Sequence, residues 1–367
     1  MTTALISATR AAEVDRRAQS PDRALTMRIL KSAVPIFCTA AAARANSAGE
    51  PLSPTNIFAP ASTPADTISG LSLLVLTITG AMFVIVLCLL LWAVVKFREK
   101  AGAGPGEPAQ VYGSTQVELA WTVIPVLIVT ILLLATARAI ASIQNAIPPP
   151  GAVEVSVIGH QYWWEYHYKK SNVVTANELH VPVSSPVHPT PTFLSLFSAD
   201  TDHSFWVPRL AGKTDLIPNH PNSMWIDPRE TGVYLGQCSQ YCGVQHAKML
   251  LRVYVQTRDE FDRWLEQQSG PAAASDSTIE GRRTFESTAC VNCHTIRGST
   301  ATGTFGPDLT HLMSRETIGA GAALNTPANL RRWIQDPSAF KPGCLMPAMG
   351  LSDSQLDAIT AYMETLR

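Results

Sequence analysis

Charge is scarce in this chain, and neither sign prevails. Lys, Arg, Asp and Glu make up 16% of its 367 residues, against about 25% in ordinary soluble domains. The formal net charge is −1, which leaves no basic field to hold nucleic acid and no acidic tail. Gly and Pro number 22 and 26, close to average, which excludes a collagen-like or low-complexity chain. Hydrophobic residues nevertheless reach 46%. Such averages suit a soluble enzyme with a large core, or a soluble body on a membrane stem. Only the distribution along the chain separates them.

That distribution favours the stem. Leu71 to Val95 contains no charge and exceeds the roughly 20 apolar residues that span a hydrocarbon core. A second uncharged run, Leu119 to Ala137, lies between Glu118 and Arg138 and holds Pro125, which a membrane helix tolerates near its start. Lys96, Arg98 and Lys100 follow the first run and place that loop in the cytoplasm. The expectation is a membrane hairpin over residues 65–142, with everything after Arg138 on the outer face. Upstream, Met27-Arg-Ile-Leu-Lys31 begins a basic region, Ser32 to Ala43 is small and apolar, and Ala43-Arg44-Ala45 is a small-x-small site. Residues 1–45 therefore read as an extension plus an export signal, with translation expected from Met27 and Cys38 inside the signal.

Beyond Pro148-Pro-Pro-Gly151 the pattern shifts to short runs separated by Pro, Asn, Asp and Gly, the mark of an all-β sandwich or barrel. Val153 to Tyr168 reads as β-strand. No helical period returns until about Arg258. Within this domain, residues 150–268, stands Cys238-Ser-Gln-Tyr-Cys242-Gly-Val-Gln-His246-Ala-Lys-Met249. Thiolate, imidazole and thioether together suit copper, whereas zinc does not recruit methionine. A disulfide explains the two cysteines but leaves His246 and Met249 idle. A mononuclear blue-copper site uses one cysteine, not two.

Residues 65–268 resemble cytochrome c oxidase subunit II. The resemblance is carried by Val117 to Pro125, Gly159 to Tyr168, Asp202 to Pro208, Lys213 to Asn222 and the cysteine loop. It implies a cupredoxin fold with a dinuclear CuA centre. Cys238 and Cys242 would bridge both coppers, His203 and His246 would bind one each, Met249 would be a weak axial ligand and Gln240 would offer its backbone carbonyl. Many family members carry Glu at that last position and use its side chain for an interface magnesium ion. The resemblance further marks Tyr162, with Trp163 and Trp164 after it, as the place where electrons enter. It marks Glu118 as guarding proton uptake and Asp200 as a docking acid. His160, His167, His180, His188 and His220 read as structural or surface residues.

A small-residue linker, residues 269–278, precedes Cys290-Val-Asn-Cys293-His294. This C-x-x-C-H run is the haem-attachment motif: two thiols add to the vinyl groups, and the histidine binds iron. No second cysteine pair follows at zinc spacing. Residues 279–367 resemble a class I cytochrome c domain. The resemblance implies that Pro307 accepts the His294 ring N–H and that Trp333 packs near a haem propionate. Met346 is the expected sixth ligand, ahead of Met349 and Met313. Cys88 and Cys344 have no evident partner, so four of seven cysteines serve metal and haem in two pairs.

The fold expected is multidomain: a two-helix transmembrane hairpin, an all-β cupredoxin domain and an all-α cytochrome c domain. The order resembles oxidase subunit II with a fused cytochrome c. That implies a bacterial cell-membrane protein working with subunits I and III and an upstream cytochrome c or quinol-cytochrome c reductase. Its role would be to pass electrons from haem c to CuA and on to haem in subunit I, where O2 is reduced. A CuA-containing nitric oxide reductase subunit and a free-standing redox carrier are the rivals.

Overall fold

The computed structural model describes residues 55–98, 110, 112–144, 147–185, 187, 189–272 and 278–367. The export-signal reading, Cys38, Lys100, His188 and residues 273–277 of the linker lie outside the described residues.

Two apolar helices open the described chain, α1 (Thr63–Lys96) and α2 (Thr115–Gln144). Each is long and apolar enough to cross a membrane, with mean hydropathy of 2.9 and 2.5 over its best window. Each also overshoots its uncharged run. Pro64 sits in the first turn of α1, where its missing N–H and fixed φ favour helix initiation. The carboxylate capping that end comes from far away. Asp227 accepts hydrogen bonds from Ser62 Oγ (2.7 Å), Thr63 N (2.6 Å) and Thr63 Oγ1 (2.5 Å), and an anion there also meets the positive end of the helix dipole. Arg229 pairs with Asp66. At the end of α2, Trp225 Nε1 donates to Ile143 O (2.8 Å). Both outer helix ends are thus tied to one strand and the turn after it. The Lys96 end of α1 lies a full helix length away from them.

The outer domain is a sandwich of two five-stranded sheets. One runs β3 (Val173–Ala176), β2 (Trp163–Tyr168), β1 (Val153–His160), β5 (Thr192–Ser198), β8 (Asn222–Ile226). The other runs β4 (Glu178–Pro182), β10 (Leu250–Gln256), β9 (Gly232–Cys238), β6 (His203–Trp206), β7 (Thr214–Leu216). Burial alternates along β1, β2 and β10, as a half-buried pleat requires. The sequence reading of 153–168 as continuous strand needs correction. It is an antiparallel hairpin with His160 opposite Trp163, turning through the cis Gln161–Tyr162 peptide. Strand-forming residues continue through the bend, so composition did not betray it. Helix α3 (Arg258–Ser269) closes the domain with a Thr257/Glu260 capping box and lays Phe261 and Trp264 against Tyr168.

The last domain is built from α4 (Ile279–Ser287), α5 (Cys290–Cys293), α6 (Pro327–Gln335) and α7 (Asp353–Met363), with a two-strand ribbon of β11 (Thr317–Ile318) and β12 (Ala323–Leu324). Helices α4 and α7 cross so closely at Gly281 that a Cβ there would lie 2.0 Å from Ala358 O. Only glycine permits that approach. Phe285, Leu330, Ile334, Leu356, Ile359 and Tyr362 form part of the core around the crossing.

Candidate metal and haem centres

The β-sandwich brings together donors that the chain keeps far apart. His203 stands at the start of β6 and Cys238 at the end of β9, neighbouring antiparallel strands. The loop after β9 returns Cys242, His246 and Met249 to the same place. Cys238 and Cys242 Sγ are 3.9 Å apart. His203 Nδ1 lies 3.9 Å from Cys238 Sγ, and His246 Nδ1 lies 3.7 Å from Cys242 Sγ. Met249 Sδ is 3.9 Å from Cys242 Sγ, and Gln240 O is 3.2 Å from Cys238 Sγ. Two sulfurs thus form the middle of the cluster, with an imidazole nitrogen on each and a thioether or carbonyl beyond. His203, Cys238, Cys242 and Met249 are buried, with Met249 fully so. A soft, dry donor set with two shared thiolates fits a pair of copper ions.

Electrostatics set the two thiols apart. The Cys242 thiol beside Cys238 and the His203 imidazole draw Cys238 well below the usual thiol range. The hydrogen bond to Cys238, together with burial, pushes Cys242 upward. Burial pushes His203 down, but the Asp200 carboxylate and Cys238 more than offset it, so His203 stays above its ordinary value. Asp200 Oδ1 holds His203 Nε2 at 2.7 Å. Such an outer carboxylate fixes the ring so that Nδ1 faces the cluster. Asp200 also accepts from Gln161 N and Thr201 N, each at 2.6 Å. Asp200 nonetheless stays exposed, so it meets both His203 and the surface.

The aromatic strand divides three ways. Trp164 is fully buried, edge-on to His203 and to Phe205. Trp163 stacks on His160 at 4.3 Å. Tyr162 turns its hydroxyl to the copper loop, where a Cβ at Gly243 would lie 2.5 Å from it. Gly243 also holds φ +127, so this close approach needs glycine. Two of the spare histidines prove structural. His160 and His167 clamp Glu165 at 2.9 and 2.8 Å. Burial alone would raise Glu165, yet the two imidazoles hold it down at about 2.

The last domain carries an open, mostly apolar cavity of about 240 Å³. Cys290, Cys293 and His294 form one wall, and Trp333, Met346 and Met349 form part of the rest. His294 Nδ1 donates to Pro307 O at 2.8 Å, which leaves its other nitrogen for the cavity. A Cβ at Gly306 would lie 2.6 Å from the same ring, so glycine admits the imidazole. Met313 does not line the cavity and packs against the domain core instead. Two thiols, a fixed imidazole and a thioether around an apolar space fit a covalently attached haem.

Three family profiles match in chain order: "Cytochrome C oxidase subunit II, transmembrane domain" over residues 52–138, "Cytochrome C oxidase subunit II, periplasmic domain" over 173–256 and "Cytochrome c" over 279–367. Cytochrome c oxidase subunit 2 of Alkalihalophilus pseudofirmus is 35% identical over 305 residues, 80% of this chain and 83% of that one. The chain belongs to the cytochrome c oxidase subunit 2 family. The Bacillus sp. (strain PS3) member is 31% identical over 74% of this chain and 80% of its own. Among solved structures, the periplasmic domain of subunit II of cytochrome oxidase from Bradyrhizobium japonicum is 28% identical over 33% of this chain and 96% of its own, with a TM-score of 0.31. This subunit 2 chain is therefore part of a haem-copper oxidase complex, anchored by two membrane-spanning helices and carrying a cytochrome c domain.

Several residues of this subunit 2 chain escaped the sequence reading. Gln161 lines the haem cavity and donates from Nε2 to Cys242 O at 2.6 Å. Arg315 and Lys341, both buried, also line it. Met363 adds a methionine from α7 to the cavity wall. Glu178, in β4, accepts from Glu316 N, Thr317 N and Thr317 Oγ1 at 3.0, 2.9 and 2.9 Å, and its burial raises it above the usual carboxylate range. Gln161 lies inside the Gly159–Tyr168 stretch, but nothing there marks it for the copper loop. A lone charged residue such as Glu178, Arg315 or Lys341 carries no signal of the partner it will meet.

Proposed function

We propose that this subunit carries electrons from an outside donor through its own haem c to CuA, and from there to haem in subunit I. There O2 is reduced to water with proton translocation. The copper pair and the haem supply one-electron chemistry; the protein supplies position. Cys238, Cys242, His203, His246, Met249 and the Gln240 carbonyl would hold the two coppers. Cys290, Cys293 and His294 would hold the haem, with Met346 as the further iron ligand and Trp333 beside it. A site closed by protein donors changes little on gaining or losing an electron, and it leaves no open position for substrate as a catalytic metal site does.

The observation that carries this reading is the shared cavity wall. His160, Gln161, Tyr162, Trp163, Asn177 and Asp200 of the copper domain complete the haem cavity. Gln161 then bonds directly to the Cys242 backbone. One residue therefore joins the cavity wall to the backbone of the cysteine loop. A tether raises the local concentration of haem at CuA to roughly millimolar even when undocked. Glu118, in the first turn of α2 and far from the outer domain, serves proton uptake. The assembly sits in a bacterial cell membrane with subunit III beside subunit I. An upstream cytochrome c or quinol-cytochrome c reductase feeds the haem. Metal and haem analysis of the purified complex tests the ligands. The expected result is two coppers and one covalent haem per chain; a single copper, or zinc, contradicts it.

A further inference from the structure

The loop that carries Met346 and the loop that carries the copper ligands meet on one short stretch of backbone, Phe340–Pro342. Gln245 Nε2 donates to Pro342 O at 2.6 Å, and Lys248 Nζ donates to Phe340 O at 3.0 Å. These two residues flank His246 in sequence. Between them Lys341, only 2% exposed, sends its ammonium to Tyr162 O at 2.7 Å and Gly319 O at 2.9 Å. One amine therefore fastens the turn beside the copper domain's Gln161 to a haem-domain glycine. Gly319 holds φ +61 and presses on Trp333, where a Cβ would lie 2.6 Å from the indole. Leu250 N, just past Met249, donates to Ala320 O at 3.2 Å.

A buried ammonium costs several kcal/mol in desolvation, and here its partners are carbonyls rather than a carboxylate. Burial pushes Lys341 down to about 7. An apolar side chain would pack there without that penalty but could not join the two carbonyls. The feature that a lysine alone provides is the cross-link between the domains.

We infer that Phe340–Pro342 is a strap that locks the haem domain onto the copper domain in the pose that transfers electrons, with Lys341 as its positioning residue. Resting on the haem-to-copper route proposed above, this names the device that holds the route closed. A tethered but unlocked domain must find the pose by diffusion at each turnover. Its transfer rate then falls and follows solvent viscosity, while each cofactor keeps its own spectrum.

The test uses the intact oxidase complex. An electron is injected photochemically into haem c, and the haem and near-infrared copper bands are followed. For Lys341→Met, haem-to-copper transfer is expected to slow by about tenfold or more and to become viscosity-dependent, with copper and covalent haem content per chain retained. Lys248→Met, at an exposed site whose folding is not in question, gives a smaller slowing of the same kind, roughly twofold to threefold. Rates for both variants within experimental error of the unaltered complex, with no viscosity dependence, overturn the strap. If the unaltered complex itself shows no transfer from haem c to copper, the route fails rather than the strap.

Discussion

The copper centre and the haem cavity of one chain are built on opposite principles. The copper donors are brought together by the fold itself. Two β-strands and one loop place six donor atoms within reach, and Asp200 turns His203 to face them. In the haem cavity only His294 is held in this way, by Pro307. The opposite wall is an irregular segment in which Met346 and Met349 are both half-buried, and part of the enclosure belongs to the other domain. The difference follows from the cofactors. Copper ions bring no scaffold of their own, so the protein must place every donor. A haem brings its own plane and two covalent anchors, so the protein need only fix one axis and close the sides.

This contrast can be broken most forcefully at the bridging sulfurs. Cys242→Ser removes a donor shared by the whole cluster. Copper binding should fall by more than the roughly 10–100-fold that loss of an outer partner costs. Metal analysis should show the copper lost while the covalent haem spectrum persists, and haem c should stay reduced under turnover. Next comes the haem axis. Met346→His should lower the haem potential strongly and remove the sulfur–iron absorption band, whereas Met349→Leu should be nearly silent in a redox titration. The reverse pattern would move the ligand.

Smaller effects probe how the donors are held. Asp200→Asn keeps the shape but loses the charge on His203. Copper affinity, measured by competition with a chelator, should drop about 10–100-fold, with the covalent haem retained. Smallest is the Glu165 clamp. Its carboxyl is held at about 2 when folded against roughly 4.3 in an unfolded chain. A depressed carboxyl stabilises the fold above its unfolded value and loses that contribution as pH falls through its folded one. Glu165→Gln should therefore cost about 1–2 kcal/mol near neutral pH. It should also flatten the acid-induced loss of near-ultraviolet circular dichroism between roughly pH 4.5 and 2.

Motifs were legible wherever chemistry forces residues together in sequence. The Cys238–Met249 loop, the Cys290–His294 run and the two uncharged spans announced themselves because ligand reach, vinyl spacing and bilayer thickness are short-range demands. His203 was legible only through resemblance, since strand pairing alone brings it to Cys238. The hairpin at Gln161–Tyr162 was hidden because aromatic and β-branched residues run straight through it. Lys341 was hidden more deeply: its partner Tyr162 is 179 residues away. Glu178, likewise, lies 139 residues from Thr317. No pattern within either segment specifies the other. Long-range docking of two finished domains is written in surfaces, and surfaces exist only after folding.

Direct electron exchange between haem and copper within this chain is tested by single-electron injection into haem c in the purified oxidase, with no soluble cytochrome c present. Copper should be reduced as haem c is reoxidised, with one rate that does not change on dilution. Copper reduction that slows in proportion to dilution, or that needs added cytochrome c, would contradict it.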